Sequence, residues 1–234
     1  MTTVDSAWLG LLNTFSLRCD GERVQVPIAA QRLLAFLALN PRPAPRAHVA
    51  AVLWPHATTD RAAGSLRSLL WRLARVHRRT FVEAADGLRL ADHVGVDVHS
   101  TWADAERLLD GEPVADLDAD ALAHDILPDW DEEWVRLERD RFRQLRLHAL
   151  ETLTDRLLNE RRYGEAVGTA MVAVAADPLR ETAHRALIGA YLAEGNRGEA
   201  VHQYRACHRL FRDGLGMPPS PALEELITEA LSLR

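Results

Sequence analysis

The stretch Asp60-Arg-Ala-Ala-Gly-Ser-Leu-Arg-Ser-Leu-Leu-Trp-Arg-Leu-Ala-Arg75 decides how the first hundred residues fold. Wound as a helix at about 100° per residue, Ala62, Ala63, Leu69, Leu70 and Leu73 fall within about 60° of Leu66 and form one apolar stripe. Arg61, Arg67, Ser68, Trp71, Arg72 and Arg75 collect on the opposite arc, between about 100° and 240°. Surface helices ordinarily mix signs through i,i+4 acid–base pairs, yet no acid follows Asp60 here. The arc therefore reads as a face for nucleic acid, against the plainer reading of a solvated basic face. A helix fits the major groove, where arginine bonds guanine O6 and N7 bidentately. Other arginines on the arc would hold phosphates and fix register. Trp71 has three readings: it meets a sugar or thymine methyl, it stacks on Arg67 and Arg75, or it packs against a neighbouring hairpin.

Thr59 or Asp60 suits the N-cap of this helix, which is expected to run to about His77. Ahead of it, Trp8–Leu12, Phe15–Cys19 and Val24–Val26 are short apolar runs separated by Asn13-Thr14 and Asp20-Gly21, the signals of a small antiparallel sheet. Two helices follow: Ala29–Leu39, stopped by Asn40-Pro41, and Ala47–Trp54, stopped by Pro55. Beyond the third helix, Thr80–Ala85 and Leu88–Leu90 flank Asp86-Gly87 as a second hairpin. Strands, three helices and a hairpin is the element order of a winged helix-turn-helix. Arg46, Arg78, Arg79 and Arg89 are expected to make weaker backbone or wing contacts. The wing is awkward for that role, since Glu83, Asp86 and Asp92 make it acidic.

Composition sets the outer bounds. The chain has 234 residues, 47% hydrophobic and 26% charged, which excludes global disorder. No apolar run is long enough to span a membrane, and Met1–Leu12 lacks the basic lead of a secretory signal. All 28 basic residues are arginine, so lysine-dependent chemistry is excluded. The net charge of −6 conceals a split: residues 1–100 carry 12 arginines against 8 acids, and residues 101–234 carry 16 against 26. Between Arg42 and Arg79 lie eight arginines and one acid, a candidate electrostatic footprint for phosphate. From Asp110 to Glu133 lie ten acids and no arginine, read as a solvated connector.

From Trp130 onward the pattern is helical, with segments at about Asp131–Glu160, Gly164–Ala176, Arg180–Glu194, Gly198–Leu210 and Pro221–Leu233. Leu153, Leu158, Glu160, Gly164, Glu165, Ala166 and Val167 are echoed 34 residues later by Leu187, Leu192, Glu194, Gly198, Glu199, Ala200 and Val201. A helix–turn–helix repeat of that period is the tetratricopeptide signature, an architecture in which each pair buries its face only by stacking on the next. Phosphate-loop, dinucleotide, nucleophile-elbow and zinc-protease motifs are all absent. Cys19 and Cys207 are too far apart in sequence for a knuckle, and the histidines are scattered. No catalytic residue, metal or cofactor is expected, and the chain reads as a non-enzyme.

Several motifs coincide with one family. Gln31-Arg32-Leu33-Leu34-Ala35, Val52-Leu53-Trp54, the run from Leu66 to Leu73, and Asp97-Val98-His99 with Trp102 resemble the winged-helix half of SARP-type regulators, the antibiotic regulatory proteins of actinobacteria. Leu127-Pro128-Asp129-Trp130 through Arg146-Leu147-His148-Ala149-Leu150 resembles the start of their bacterial transcriptional activator domain, and Leu215-Gly216-Met217-Pro218-Pro219-Ser220-Pro221 with Leu223 resembles its end. Gly64, Trp71, Ala74 and Gly87-Leu88 depart from the family's usual residues. Ending at Arg234, the chain resembles the small members that stand alone. The resemblance implies an activator that binds direct repeats near a promoter and recruits RNA polymerase holoenzyme, commonly for a secondary-metabolite (antibiotic) gene cluster.

The combined expectation is a mostly α protein with a small antiparallel β component. Residues 1–96 form a winged helix-turn-helix DNA-binding domain and residues 97–234 a TPR-like, all-α transcriptional activator domain. Its partners are double-stranded DNA and polymerase, it pairs as a homodimer on DNA, it has no membrane association, and it is cytoplasmic and nucleoid-associated. The alternative is a helical-repeat adaptor or ligand-sensing regulator whose winged helix binds protein.

Overall fold

The computed structural model describes residues 7–76, 80–113 and 119–232. Strands β1 (Ala7–Gly10), β2 (Ser16–Cys19) and β3 (Glu22–Arg23) lead into helices α1 (Ile28–Leu39), α2 (Arg46–Leu53) and α3 (Thr59–Leu73). Then come β4 (Val82–Glu83), β5 (Arg89–Leu90) and β6 (Val94–Val96), and after them α4 (Asp97–Leu109), α5 (Glu133–Asn159), α6 (Tyr163–Ala176), α7 (Glu181–Glu194), α8 (Arg197–Leu215) and α9 (Pro221–Ser232). The architecture is a winged helix-turn-helix followed by TPR-like helical pairs. Two compact units result: the described residues up to Ser100 with Asp125–Asp140, and Thr101–His124 with the chain from Arg141 onward.

In the first unit, α1 is the centre. Ala30 and the unbroken run Leu33–Ala38 are buried, so this helix must be covered on every side. The sheet has the order β3-β2-β1-β6. Asp20 and Gly21 take φ of 52° and 85°, the two-residue turn that Asp-Gly favours. That turn fixes the register Cys19↔Glu22 and Arg18↔Arg23, so β3 pairs immediately after it. The expected strand Val24–Val26 is instead irregular chain that buries Val24 and Val26 and exposes Gln25, tied by the Val24 amide to Leu17 O at 2.8 Å. The sheet is also mixed: β6 runs parallel to β1, pairing Ala7↔Val94 and Leu9↔Val96. A three-residue strand whose parallel partner lies more than eighty residues away leaves too little local pattern to read in a sequence. Immediately after it, the Asp97 carboxylate accepts the amides of Leu11 (2.9 Å), Leu12 (3.0 Å) and Val98 (2.7 Å), binding the end of β1 to the start of α4.

The acidic stretch is not a solvated connector. Among its described residues, Leu122, Ile126 and Leu127 are buried to 1% exposure or less. Leu122 packs into the second unit with Ala105, Leu108 and Leu150, where Arg146, 1% exposed, donates to Leu122 O at 2.9 Å. Ile126 pairs with Leu12 in the first unit, and the Leu127 amide bonds Leu11 O at 2.9 Å. Trp130 stacks near Phe15 (centroids 6.2 Å) and Trp134 meets Phe36 edge-on (5.4 Å). Arg139 donates to the carbonyls of Ile126 and Trp130, at 2.7 and 2.8 Å, and to that of Leu127. Charges line the exposed side of this segment while its apolar residues dock.

α4, whose first four residues belong to the first unit and the rest to the second, is an element beyond those expected, although Val98, Thr101, Ala105 and Leu108 have helical spacing and are buried. The 34-residue repeat is visible in the backbone. Arg161 and Gly195 both have positive φ, 60° and 88°. The Arg162 amide bonds Leu157 O (2.9 Å) as the Asn196 amide bonds Tyr191 O (2.8 Å), and the Arg161 and Gly195 amides bond Leu158 O and Leu192 O, both at 3.0 Å. These are two Schellman closures, 34 residues apart. Ala166 and Ala200, at equivalent positions, have no exposed surface and let neighbouring helices approach. α8 runs five residues past its expected end, to Leu215, carrying Phe211 into the core with Ile188, Leu223 and Ile227. Between α7 and α8, Gln203 Nε2 donates to His184 Nδ1 (2.8 Å) and His184 Nε2 donates to Pro178 O (2.9 Å).

Glu151 on α5 accepts from Arg180 Nε at 2.7 Å and from Thr182 Oγ1 at 2.5 Å. Burial alone would raise its carboxyl pKa; the bonds from Arg180 and Thr182 outweigh that and hold it below the usual carboxylate range. A depressed folded-state pKa gives stability that is present above the unfolded value and lost as pH falls through the folded one. Urea titrations should therefore show Glu151→Gln less stable than wild type at pH 7, with the gap closing below about pH 4. Gly195→Ala should cost about 1 kcal/mol, because alanine pays to enter the left-handed region, whereas Arg161→Gly should stabilise; equal effects of opposite placement would contradict the repeat geometry.

Candidate nucleic-acid interface

α3 is the second helix of the helix-turn-helix. Pro55 ends α2, and Thr58 takes the extended N-cap conformation of α3 without a side-chain cap bond, one residue ahead of the expected cap. The helix closes at Leu73, short of the expected His77. The Ala74 amide bonds Leu70 O and the Arg75 amide bonds Arg72 O, tightening the last turn; His77 lies outside the described residues.

Ala62, Leu66, Leu69 and Leu73 are buried against the core, and Leu70 is half-buried. Ala63, expected on the stripe, is exposed at its edge. Arg61, Arg67, Ser68, Trp71, Arg72 and Arg75 are all exposed on the outward face. Trp71 is 58% exposed, and the Arg75 guanidinium lies 3.6 Å from the centroid of its ring. Of the three readings of Trp71, the stack on Arg75 is the one present, and it holds a cation in a defined position on the face. Among the described residues, Arg46, Arg61, Arg67 and Arg72 have no carboxylate partner. The face is a row of cations without counter-ions among the described residues.

The other expected positions divide. Arg46 is exposed at the start of α2. Arg78 and Arg79 lie outside the described residues. Arg89, on β5, is ion-paired with Glu83 and with Asp92 at 2.5 Å, so its charge is spent within the wing. Arg42 belonged to the basic block but carried no assigned role. It is exposed, without a carboxylate partner among the described residues, on the loop whose Ala44 pairs with Leu88 of the wing. Its signal was the charge count, which ranks no single residue.

That bridge places the wing. A Cβ on Gly87, whose φ is +154°, would lie 3.0 Å from Ala44 O and 3.1 Å from Pro43 C. Both are backbone atoms and cannot swing aside.

Residues 79–231 match the bacterial transcriptional activator domain family. The chain belongs to that family. It is 28% identical over 241 residues to the regulatory protein AfsR of Streptomyces coelicolor, covering 93% of this chain and 23% of the relative. Against AfsR of Streptomyces griseus it is 26% identical over 214 residues, covering 83% and 21%. The chain thus spans under a quarter of the length of these curated relatives. Mycobacterium tuberculosis EmbR, solved in complex with a low-affinity phosphopeptide, superposes with a TM-score of 0.72 at 21% identity, covering 98% of this chain and 66% of that one. Family, relatives and fold agree with the SARP-type resemblance, and the coarse function that follows is transcriptional regulation. No helix among the described residues is long and apolar enough to cross a membrane.

Gly87→Ala should lower stability by about 1–3 kcal/mol, through strain at its φ and the close approach to the Pro43–Ala44 backbone. Denaturation of the full chain measures it, and an unchanged midpoint would mean that the wing does not depend on this contact.

Proposed function

We propose that this chain is a sequence-specific DNA-binding transcriptional activator that sets α3 in the major groove. The observation carrying the reading is the outward face of α3: Arg61, Arg67, Arg72 and the Trp71-stacked Arg75 lie exposed on a rigid helix whose opposite side is locked in the core. Arg67 and Arg72, with Ser68 and Trp71, face base edges; Arg46, Arg61 and Arg75, with Arg78 and Arg79, hold phosphates. Arg89 contributes least, being held by two carboxylates.

One winged helix reads only a few base pairs, too few against a genome of competing sites. Two protomers on direct repeats spaced by the helical turn, about 10–11 bp, supply the missing discrimination. The helical-repeat unit carries the protein contacts: between protomers on DNA, and with RNA polymerase holoenzyme at the promoter. Its acidic balance, 16 arginines against 26 acids in residues 101–234, repels phosphate and suits basic protein surfaces. The regulated genes are those of a secondary-metabolite (antibiotic) cluster, the protein works in the cytoplasm on the nucleoid, and it carries no catalytic role. The adaptor reading draws on the wing, whose arginine is neutralised.

Selection of bound sequences from random duplexes tests this, followed by titration of the selected site. Arg67→Ala or Arg72→Ala should cost about 1–3 kcal/mol and relax preference at one position if the residue reads a base. A phosphate contact would instead weaken all sequences alike and reduce the salt slope by about one unit. Shifting one half-site by about 5 bp should abolish paired binding. A selection without an enriched motif, or full affinity in both arginine variants, would return the adaptor reading.

A further inference from the structure

Between α2 and α3 lies a groove of about 300 Å³, walled by Ala47, Trp54, Ala63 and Leu66 and bordered by Arg46 and Arg67. Its size falls at the lower end of ligand-sized sites, about 300–1,000 Å³. The space exists because the facing residues of both helices are alanines, which leave room that a larger side chain would fill. No carboxylate lines it, and neither bordering guanidinium has a carboxylate partner among the described residues. We propose that this groove binds a small amphipathic carboxylate, a flat aromatic or short acyl monoacid, and that the bound acid displaces DNA.

The chemistry of the lining selects that class. An apolar body gains by leaving water against Trp54, Leu66 and the alanines, which a bare inorganic anion cannot do. A guanidinium takes a carboxylate in a bidentate pair, which an uncharged apolar compound cannot offer. Thr59 adds a hydroxyl at the same groove. The displacement rests on the reading of α3 proposed above: Arg67 is on the outward face, and a guanidinium drawn onto a bound carboxylate is removed from phosphate or base. The same holds for Arg46, which that reading sets on phosphate, so acid and DNA compete for both guanidinium groups.

The test uses the full chain and two probes of one shape, 2-naphthoate and uncharged 2-naphthamide. In calorimetry without DNA, naphthoate should saturate one site with a dissociation constant on the order of 0.1–1 mM, as its size allows. Naphthamide should bind about tenfold more weakly or not at all, and Arg46→Gln should weaken naphthoate by about tenfold. Ala47→Leu, which fills the groove from α2, should abolish binding; Ala51→Leu on the same wall serves if circular dichroism shows that Ala47→Leu unfolds. In gel shifts on a selected duplex, naphthoate at ten times its dissociation constant should lower DNA affinity about tenfold in wild type and not in the filled variant. No saturable binding, equal binding of both probes, or indifference to the groove-filling variants overturns the site. Naphthoate binding that spares DNA affinity overturns the displacement. A protein that takes naphthoate as expected and binds no duplex at all overturns the DNA reading and leaves the site standing.

Discussion

The first unit depends on covering α1. A helix buried along Leu33–Ala38 has no side to turn toward water, so each of its neighbours is there to close one face. Burial of a leucine or phenylalanine side chain stabilises by about 1.5–3 kcal/mol, and α1 carries Leu33, Leu34, Phe36 and Leu37. α2 and α3 cover part of it, and Trp134 covers Phe36. At the rim, Gln31 donates to Val26 O at 3.0 Å and Arg32 to Leu53 O at 2.9 Å; Arg32 Nε lies 2.8 Å from the Glu132 carboxylate as an ion pair without hydrogen-bond geometry. His99 Nε2 donates to Ala38 O at 2.7 Å, closing the far end.

That demand explains a chain path that runs against the local composition. Asp125–Asp140 is acidic, yet it returns to the first unit because Ile126, Leu127, Trp130 and Trp134 are apolar at the positions that meet the β1–β2 loop and α1. Of the carboxylates beside them, Glu132 pairs with Arg32 of α1 at 2.8 Å, while the exposed Asp131 pairs with Arg136 at 2.6 Å. Asp97 performs a related service with charge in place of apolar area. Its two oxygens satisfy the amides where β1 stops, which would otherwise be half-buried donors without partners.

Holding α3 by one stripe frees its other face for function. Ala62, Leu66, Leu69 and Leu73 anchor the helix, so a row of like charges opposite is tolerated at a cost the core offsets. The same small residues that let α2 and α3 sit together leave a groove beside Arg46 and Arg67. On the readings proposed above, the cationic face and the apolar recess beside it share Arg46 and Arg67.

The periodic parts of this protein were determined by sequence alone. The stripe of α3, its arginine arc, the Asp-Gly hairpin and the 34-residue echo each rest on local spacing, because a helix or tight turn brings together residues only a few positions apart. Resemblance supplied the family, since its motifs are strings. Other features needed the tertiary structure. The parallel strand Val94–Val96, the docking of Ile126 and Trp134 and the Asp97 bridge all join residues whose partnership no spacing encodes. The choice among readings of Trp71 also waited for it, because the stack on Arg75 is settled by side-chain rotamers rather than by position on a wheel. Local pattern says which face a residue is on; only packing says what stands opposite.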